Sequence, residues 1–355
     1  MWKNNTYFFS IIIPSHNRKE ELKELLESFE NQTYPKDQFE VIIIDDHSTD
    51  GTHEWLDSIK NILSFKFVTE ILPENIRYPG SARNRGMEIA SGNYFIFIDS
   101  DCIAPPNWLY VIDKTLKNDP DIQAFGGRDD ARDDFSPLLK AINHSMTSFI
   151  STGGMRGGKK KRLAKFYPRS FNMGICRELY ETTPEKKGIQ FEGLRHGQDI
   201  LFSQQIKKRG AKIAYIPDSV VFHKRRTSLI KFFRQVFNWG VARINLSRID
   251  HAMLEPLHFA PALGLWLIMT FTLFTLFFRS LFSYWLICIA MIDILLLGSG
   301  IHSALKWKSL TTGLMVPIVM IIQISGYGLG FTAAFIWRVL LKKGEFAGFV
   351  KRYYE

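Results

Sequence analysis

The sequence predicts an α/β domain with a mostly parallel sheet, followed by C-terminal transmembrane helices. Through the first two thirds of the chain, short apolar runs alternate with amphipathic segments. This alternation is typical of a parallel sheet covered by helices on both faces. Charged residues become scarce after Glu255, and three long apolar stretches follow. The average composition of the 355 residues, with a formal net charge of +10, conceals this division.

The first half of the domain alternates strand and helix from Phe8 onward. The run Phe8–Ile13 is apolar and β-branched and stops at Pro14, as a buried strand does. Between Lys19 and Phe29 the apolar residues recur at helical spacing. The same criteria predict strands at Phe39–Ile44, Phe65–Thr69 and Tyr94–Ile98 and helices at Thr52–Leu63 and Ser81–Ala90.

The second half of the domain has a less regular pattern. Polar and glycine-bearing segments at Asp129–Asp134 and Gly153–Lys165 are typical of loops. The segment Ser228–Ile249 interleaves basic and aromatic residues, as expected of a helix in the membrane interface. Strands are predicted at Tyr167–Cys176, Lys212–Ile216 and Val220–His223, and a helix at Asp199–Arg209.

Polar residues follow three of the predicted strands. Ligands of parallel sheets bind beyond the carboxyl ends of the strands. Those ends carry Ser15 to Arg18, Asp45 with Asp46, and Asp99 to Asp101. The sequence therefore predicts a binding site at this edge.

Charge and cysteine content indicate which partners and which cellular compartment to expect. Two basic runs lie within residues 156–169 and 224–234. Such runs hold phosphate, anionic lipid or nucleic acid, or are simply solvated. The second run directly precedes the apolar stretches, which favours a lipid surface, and no nucleic-acid partner is expected. Three widely spaced cysteines, without disulfide or metal-ligand spacing, favour a reducing cytosolic face.

The Asp99-Ser100-Asp101 turn has the chemistry of a metal site. Hard divalent cations prefer carboxylate oxygens, and they neutralise the charge of a pyrophosphate leaving group. Alternate residues let both carboxylates serve one site. Two acids in a surface turn are nevertheless common, so the turn alone is weak evidence for a metal site.

The order of four motifs resembles the family 2 glycosyltransferases, from about Phe8 to Gly240. The matching segments are Ser10–Arg18, Ile44–Thr52, Gly80–Gly86 and Asp99–Asp101. The resemblance implies the GT-A fold, Rossmann-like with a mostly parallel sheet. It also implies a nucleotide-diphosphate sugar donor and Mn²⁺ or Mg²⁺ as cofactor.

The resemblance assigns roles on the donor side. It implies that Asp101 binds the metal, that Asp99 contacts ribose or metal, and that Arg83 faces the diphosphate. His223 ends a predicted strand where related enzymes often carry a histidine near the metal, so it is either a ligand or a structural residue. The remaining nucleotide-sugar contacts that it implies are Pro14, Ser15, Asn17, Asp45, Asp46 and Ser100.

On the acceptor side, Gly188–Gly193 leads to Gly197-Gln198-Asp199, similar to the family's acceptor segment. The resemblance implies that Asp199 is the base that deprotonates an acceptor hydroxyl. Asp199 could also act as a helix N-cap. The family's preceding Glu is replaced by Gln198. The acceptor-side residues that we expect are Asn172, Gly174, Glu192, Gln198, Gln235 and Trp239.

The pair Gln235 and Trp239 resembles part of the Gln-x-x-Arg-Trp motif of processive polysaccharide synthases. Asn238 stands at the arginine position, which argues against a processive synthase. Three apolar stretches also provide little material for a polymer channel.

The apolar stretches are Leu257–Phe278, Ser280–Leu305 and Ser309–Trp337, each long enough to span a bilayer. Asp293 in the second would be costly facing lipid. Three spans with a cytosolic catalytic domain would leave Lys342 and Lys343 outside, against the positive-inside tendency. One stretch is therefore a candidate hairpin or interface helix, most of all the last.

The sequence thus predicts an inverting glycosyltransferase, multi-pass in the cell membrane, with its catalytic domain on the cytoplasmic face. Its acceptor would be lipid-linked or another glycan, in surface polysaccharide or glycoconjugate synthesis. We divide the chain into a catalytic domain (1–227), an interface segment (228–255), transmembrane helices (256–341) and a basic tail (342–355). The alternatives are a polyprenyl-phosphate glycosyltransferase and a catalytically dead membrane scaffold.

Overall fold

An eight-stranded sheet forms the centre of the catalytic domain. The computed structural model describes residues 7–73, 78–152, 165–181, 188–224 and 227–349. Within them the strands follow the spatial order β3-β2-β1-β4-β7-β6-β8-β5. They are β1 (Phe9–Ser15), β2 (Phe39–Asp45), β3 (Lys66–Ile71), β4 (Tyr94–Phe97), β5 (Cys102–Ile103), β6 (Ala124–Asp130), β7 (Met173–Cys176) and β8 (Ile213–His223).

The helices cover both faces of the sheet and then leave it. They are α1 (Lys19–Glu30), α2 (Thr52–Ile59), α3 (Pro79–Ile89), α4 (Trp108–Asn118), α5 (Pro137–Thr147), α6 (Phe149–Thr152), α7 (Arg177–Tyr180), α8 (Gln198–Lys208), α9 (Leu229–Ser247), α10 (Ala260–Phe277), α11 (Phe282–Trp307) and α12 (Leu310–Phe335). Short helical turns lie at Lys36–Gln38, His251–Met253, Pro256–Phe259, Arg279–Leu281 and Ile336–Leu340.

The first half of the sheet confirms the predicted parallel α/β pattern. β1 lies between β2 and β4 and pairs with both in parallel. Successive residues of β1 point to opposite faces, so Ile11 packs in one core and Ile12 in the other. The register Ser15↔Asp45 aligns the carboxyl ends of β1 and β2 at one edge.

The second half of the sheet departs from the prediction. Asp129 and Asp130 belong to β6 rather than to a loop, because β8 pairs with them and supplies their backbone partners. The same pairing joins the two strands predicted within 212–223 into the single strand β8. The strand predicted at Tyr167–Cys176 shrinks to β7, which runs antiparallel between β4 and β6. Helices α4 and α5 were not predicted. Most of the basic run at 156–165 lies outside the described residues.

The three apolar helices differ in their surroundings. All three are long and apolar enough to cross a membrane. In each of the first two helices, only 6% of the most apolar 18-residue stretch is buried inside the protein. In the third helix the buried share is 44%. Helix α12 packs along α9 so closely that a Cβ on Gly240 would lie 2.2 Å from the carbonyl oxygen of Tyr327. Its first half also packs on α5, where Ser145 Oγ donates to Gln323 at 2.7 Å.

The chain that follows α12 returns to the catalytic domain. Asn245 of α9 donates to the carbonyl of Phe346 at 3.0 Å. The amide of Phe349 donates to Asn238 at 3.0 Å. The ring of His196, which lies just before α8, is 3.2 Å from the carbonyl of Ala347. Asn238, the residue at the arginine position of the synthase motif, thus holds the segment that follows α12.

Candidate active site

A polar cavity of about 600 Å³ lies at the carboxyl ends of β1 and β4. We call it the donor cavity. It brings together segments from five places in the chain, including most of the residues predicted from the motifs. Its lining residues are Pro14, Ser15, His16, Asn17, Arg18, Pro79, Arg83, Asp99, Ser100, Asp101, Ser170, Gly197, Gln198 and Asp199.

Two guanidinium groups give the donor cavity positive charge. Helix α3 begins at Pro79 and brings Arg83 against the end of β4, where its Nη2 donates to Asp99 Oδ1 at 2.6 Å. The guanidinium also lies 5.4 Å from the centre of the Phe191 ring. Burial disfavours the charge of Arg18, but Glu21, Asp101 and Asp99 outweigh burial and raise the pKa of Arg18. Arginine pairs suit diphosphate oxygens.

The second acid of the turn, Asp101, faces His223. The two-residue strand β5 pairs with the end of β8, which sets Asp101 Oδ1 3.1 Å from His223 Nε2. The other ring nitrogen lies 3.6 Å from the buried carboxylate of Asp129. Burial lowers the pKa of His223, but the two carboxylates outweigh burial and raise it to about 9.

These residues fit a divalent cation. Ligand atoms of Asp101, Cys102 and His223 lie within 4.8 Å of one another. Burial raises the pKa of the Cys102 thiol well above its usual value, so Asp101 and His223 are the better ligands. A metal ion would displace the proton of His223. Asp129 would then orient the imidazole from behind. Because a loop was predicted at Asp129, sequence reasoning gave this residue no role in the site. Its position near the end of strand β6 could have indicated one, since the other acids of the site also follow strands.

Asp199 lies in the first turn of α8. The helix follows Gly197, whose φ of 78° is strained for residues with a side chain. Because Gly197 occupies the N-cap position, Asp199 is not the cap of α8. Its carboxylate accepts a hydrogen bond from Arg169 Nη1 at 3.3 Å.

A second cavity of about 580 Å³ begins at Gly197 and Asp199, which also line the first. We call it the apolar cavity. It lies between the catalytic domain and helices α9, α10 and α12. Its other lining residues are Met146, Phe149, Ile150, Ser151, Thr152, Arg169, Ile200, Trp239, Ala242, Arg243, Leu257, His258, Ala260, Pro261, Gln323, Ile324 and Tyr327. Sequence reasoning missed Arg243, although it lies four residues after Trp239 and hence on the same helix face.

Some predicted nucleotide contacts lie beside the donor cavity. Asp45 accepts hydrogen bonds from the amide and hydroxyl of Ser48, at 3.0 and 2.5 Å, and so shapes the turn after β2. Asp46 is buried next to it, and its carbonyl lies 2.6 Å from His16 Nδ1. Asn17 lines the cavity and holds this turn through the amide of Thr49 at 2.7 Å. Neither Asp45 nor Asp46 is among the lining residues.

Some of the predicted acceptor-side residues line a cavity and others do not. Gln198 lines the donor cavity and Trp239 the apolar cavity. Gln235 and the exposed Glu192 line neither.

Two further residues, Asn172 and Gly174, lie in the interior rather than at the pocket. The Asn172 amide is fully buried and bonded to Ser219, Arg128 and Trp108. A Cβ on Gly174 would lie 2.3 Å from the ring of Phe125. Asn172 and Gly174 therefore pack inside the domain, at and within strand β7.

Residues 10–182 match the model of a family described as glycosyl transferase family 2. Among curated proteins, a dolichyl N-acetyl-alpha-D-glucosaminyl phosphate 3-beta-D-2,3-diacetamido-2,3-dideoxy-beta-D-glucuronosyltransferase of Methanococcus voltae is 26% identical over 246 residues. The alignment covers 66% of this chain and 73% of that protein.

This chain is also similar in sequence to part of a longer enzyme and similar in fold to a solved structure. The poly(ribitol-phosphate) beta-N-acetylglucosaminyltransferase TarS of Staphylococcus aureus is 30% identical over 200 residues, 56% of this chain but only 30% of TarS. A mannosyltransferase of Pyrobaculum calidifontis, solved with GDP-Man and Mn²⁺, matches with a TM-score of 0.53 at 19% identity. That match covers 90% of this chain and 87% of the mannosyltransferase. The predicted GT-A fold is confirmed.

Proposed function

Because residues 10–182 form a family 2 glycosyltransferase domain, we propose that this protein is an inverting glycosyltransferase acting on a lipid-linked acceptor. The donor would be a nucleotide-diphosphate sugar. One observation carries the proposal: Asp199 lies where a polar cavity with metal-ligating side chains meets an apolar cavity beside the membrane helices. A base at that junction can serve a sugar on one side and a lipid-bound hydroxyl on the other.

The donor cavity would hold the diphosphate. Asp101 and His223 would bind Mn²⁺ or Mg²⁺, which neutralises charge on the departing diphosphate. Arg83 would donate to the phosphate oxygens from its buried position. Asp99 would hold Arg83 in place and contact the ribose.

Asp199 would accept the proton of the acceptor hydroxyl as that oxygen attacks the sugar carbon. Arg169, whose Nη1 donates to this carboxylate at 3.3 Å, would hold it in place for this role. Attack from the side opposite the diphosphate, in one displacement, inverts the configuration at that carbon.

The apolar cavity supports a lipid-linked acceptor. The name of the Methanococcus relative specifies a dolichyl-linked acceptor, whereas TarS acts on poly(ribitol phosphate). A wall that includes Trp239, Leu257 and Ile324 suits a hydrocarbon chain better than a polyanion. We therefore favour the lipid-linked glycan.

We also propose that α10 and α11 cross the membrane as a hairpin while α12 stays at the interface on α9. In the segment after α12, the carbonyl of Ala347 is hydrogen-bonded to His196 of the catalytic domain. A hydrogen bond cannot reach across a bilayer, so the number of crossings between them is even. This arrangement places Lys342 and Lys343 on the same face as the catalytic domain, which the positive-inside tendency makes the cytoplasm.

Cysteine labelling in sealed vesicles tests this topology. In a background where the three native cysteines are replaced, Lys343→Cys and Lys60→Cys would react with an impermeant maleimide from the same side. Ser280→Cys, at the hairpin tip, would react from the other side. Labelling of Lys343→Cys from the side opposite to Lys60→Cys would show that α12 crosses.

The function is tested by screening nucleotide sugars with detergent-solubilised full-length protein, with Mn²⁺, Mg²⁺ or EDTA. Nucleotide release and sugar transfer to extracted membrane lipids are both measured. We expect metal-dependent turnover, lost in Asp101→Ala, and transfer reduced about 10²–10⁴-fold in Asp199→Asn. Asp121→Asn, on the exposed surface, is the matched control.

Three results would contradict parts of this proposal. No binding of any sugar nucleotide by the wild-type protein would refute the enzyme and favour a scaffold. Transfer that survives in Asp199→Asn would favour a phosphate acceptor, which needs little help from a base. Turnover in EDTA would refute the metal.

A further inference from the structure

A cation lies buried in the wall of the apolar cavity. Arg243 extends from α9 and is only 6% exposed. Its Nη1 atom has no hydrogen-bond partner among the described residues. Burial lowers the pKa of Arg243, yet a guanidinium stays protonated in proteins. A buried guanidinium nitrogen without a hydrogen-bond partner is costly, and a bound anion would remove that cost.

The charges around Arg243 leave the cavity with a positive end. Arg169 also lines the cavity and lies near enough to contribute to the lowered pKa of Arg243, and Asp199 is the acidic residue among the lining residues. Since Arg169 already donates to Asp199, the carboxylate is shared and Arg243 adds an excess cation. Two arginines beside one carboxylate favour an anion.

We propose that Arg243, together with Arg169, binds the phosphate group that joins the acceptor's lipid to its sugar. This inference rests on the proposed function and specifies its acceptor as a lipid phosphate or diphosphate. The phosphate would lie at the inner end of the apolar cavity, within one sugar of Asp199. The hydrocarbon chain would run outward past Trp239.

The outer part of the cavity supports this orientation. Phe149 and Ile150 of α6 line the cavity, and their side chains are 55% and 50% exposed. Exposed apolar side chains of this size, next to helices that enter a membrane, suit contact with hydrocarbon. An anion at one end and apolar walls at the other match an amphiphile rather than a free sugar.

The test measures probe binding to the full-length protein in detergent with EDTA present, so that no metal holds a phosphate at Asp101. The probes are farnesyl phosphate, farnesol and inorganic phosphate, each followed by calorimetry. We expect wild-type protein to bind farnesyl phosphate at least about tenfold more tightly than either other probe. In Arg243→Gln this preference over farnesol would disappear. In Arg248→Gln, an exposed arginine at the end of the same helix, it would persist.

The outcomes separate the possibilities. Equal wild-type affinity for farnesyl phosphate and farnesol would overturn the proposal, whatever the variants do. Inorganic phosphate binding as tightly as farnesyl phosphate would overturn it in favour of a free-anion site. Metal-dependent donor hydrolysis retained in Arg243→Gln would show that the variant folds. Donor hydrolysis absent from the wild type would instead refute the proposed function, and the probe affinities would still decide the phosphate site.

Discussion

The donor cavity and the apolar cavity share Asp199 but are built by different means. The donor cavity consists mainly of short segments at strand ends, each only a few residues long. The apolar cavity is formed by side chains from α5, α6, α9, α10 and α12, which come together only when the helices pack. The donor cavity thus consists of local sequence motifs, whereas the apolar cavity depends on tertiary packing.

The two cavities therefore depend on different parts of the fold. Parallel strands bring their carboxyl ends to one edge, so a donor site follows from the sheet itself. The cavity that we propose for the acceptor depends instead on how the C-terminal helices dock. Substitutions in the two cavities should therefore have separable effects on donor hydrolysis and on transfer.

The largest effect is expected in the donor cavity. Arg83→Gln removes a buried cation that we propose faces the diphosphate, and it removes the ion pair between Arg83 and Asp99. We expect donor hydrolysis and transfer to fall together by about 10²–10³-fold, the typical effect of removing one donor to transition-state charge. Initial rates at saturating donor measure this.

Arg85→Gln is the matched control for that variant. Arg85 lies in the same helix but pairs with Glu70 and Glu88 at the surface. Its rates should stay within about twofold, since surface ion pairs contribute little. Equal losses in both variants would mean that Arg83 acts only through the stability of α3.

A smaller effect is expected where α9 meets α12. Gly240→Ala would force a methyl group against the carbonyl of Tyr327 and destabilise the packing by about 1–3 kcal/mol. Transfer should fall while donor hydrolysis is retained, because only the apolar cavity depends on this contact. Gly298→Ala, where a Cβ meets nothing within 4 Å, should leave both rates and the melting temperature unchanged. Parallel loss of hydrolysis would show that the two cavities are not separable.

The smallest effect concerns His144 of α5, whose ring nitrogen Nε2 lies 3.0 Å from the hydroxyl of Ser299 in α11. Burial, with help from His302 and Lys306, lowers the pKa of His144 to about 4. The unfolded chain takes up this proton near pH 6.5, so stability is present above that pH and is lost as the pH falls toward 4. We expect the melting temperature of the wild type to drop more over this range than that of His144→Gln, by on the order of a few degrees. Identical pH profiles would contradict this.

Much of the donor side could be predicted from the sequence alone. Buried β-branched runs that end in polar residues predict strands whose ends meet, and Pro14, Arg83 and Asp101 do line one cavity. Long charge-free stretches predict membrane helices because lipid admits few charges. Both signals are local in the chain, so no tertiary information is required.

The tertiary structure decided what depends on distant partners. β6 exists as a polar strand because β8 pairs with it, and this pairing brings Asp129 to His223. Helix α12 was as apolar as a spanning helix, but its contacts with α9 tie it to the catalytic domain. Arg243 became a candidate anion ligand only when packing buried it in an apolar wall with its Nη1 atom lacking a hydrogen-bond partner. Hydrophobicity along a chain predicts that a segment is buried, while the choice between lipid and protein as its surroundings is made by packing.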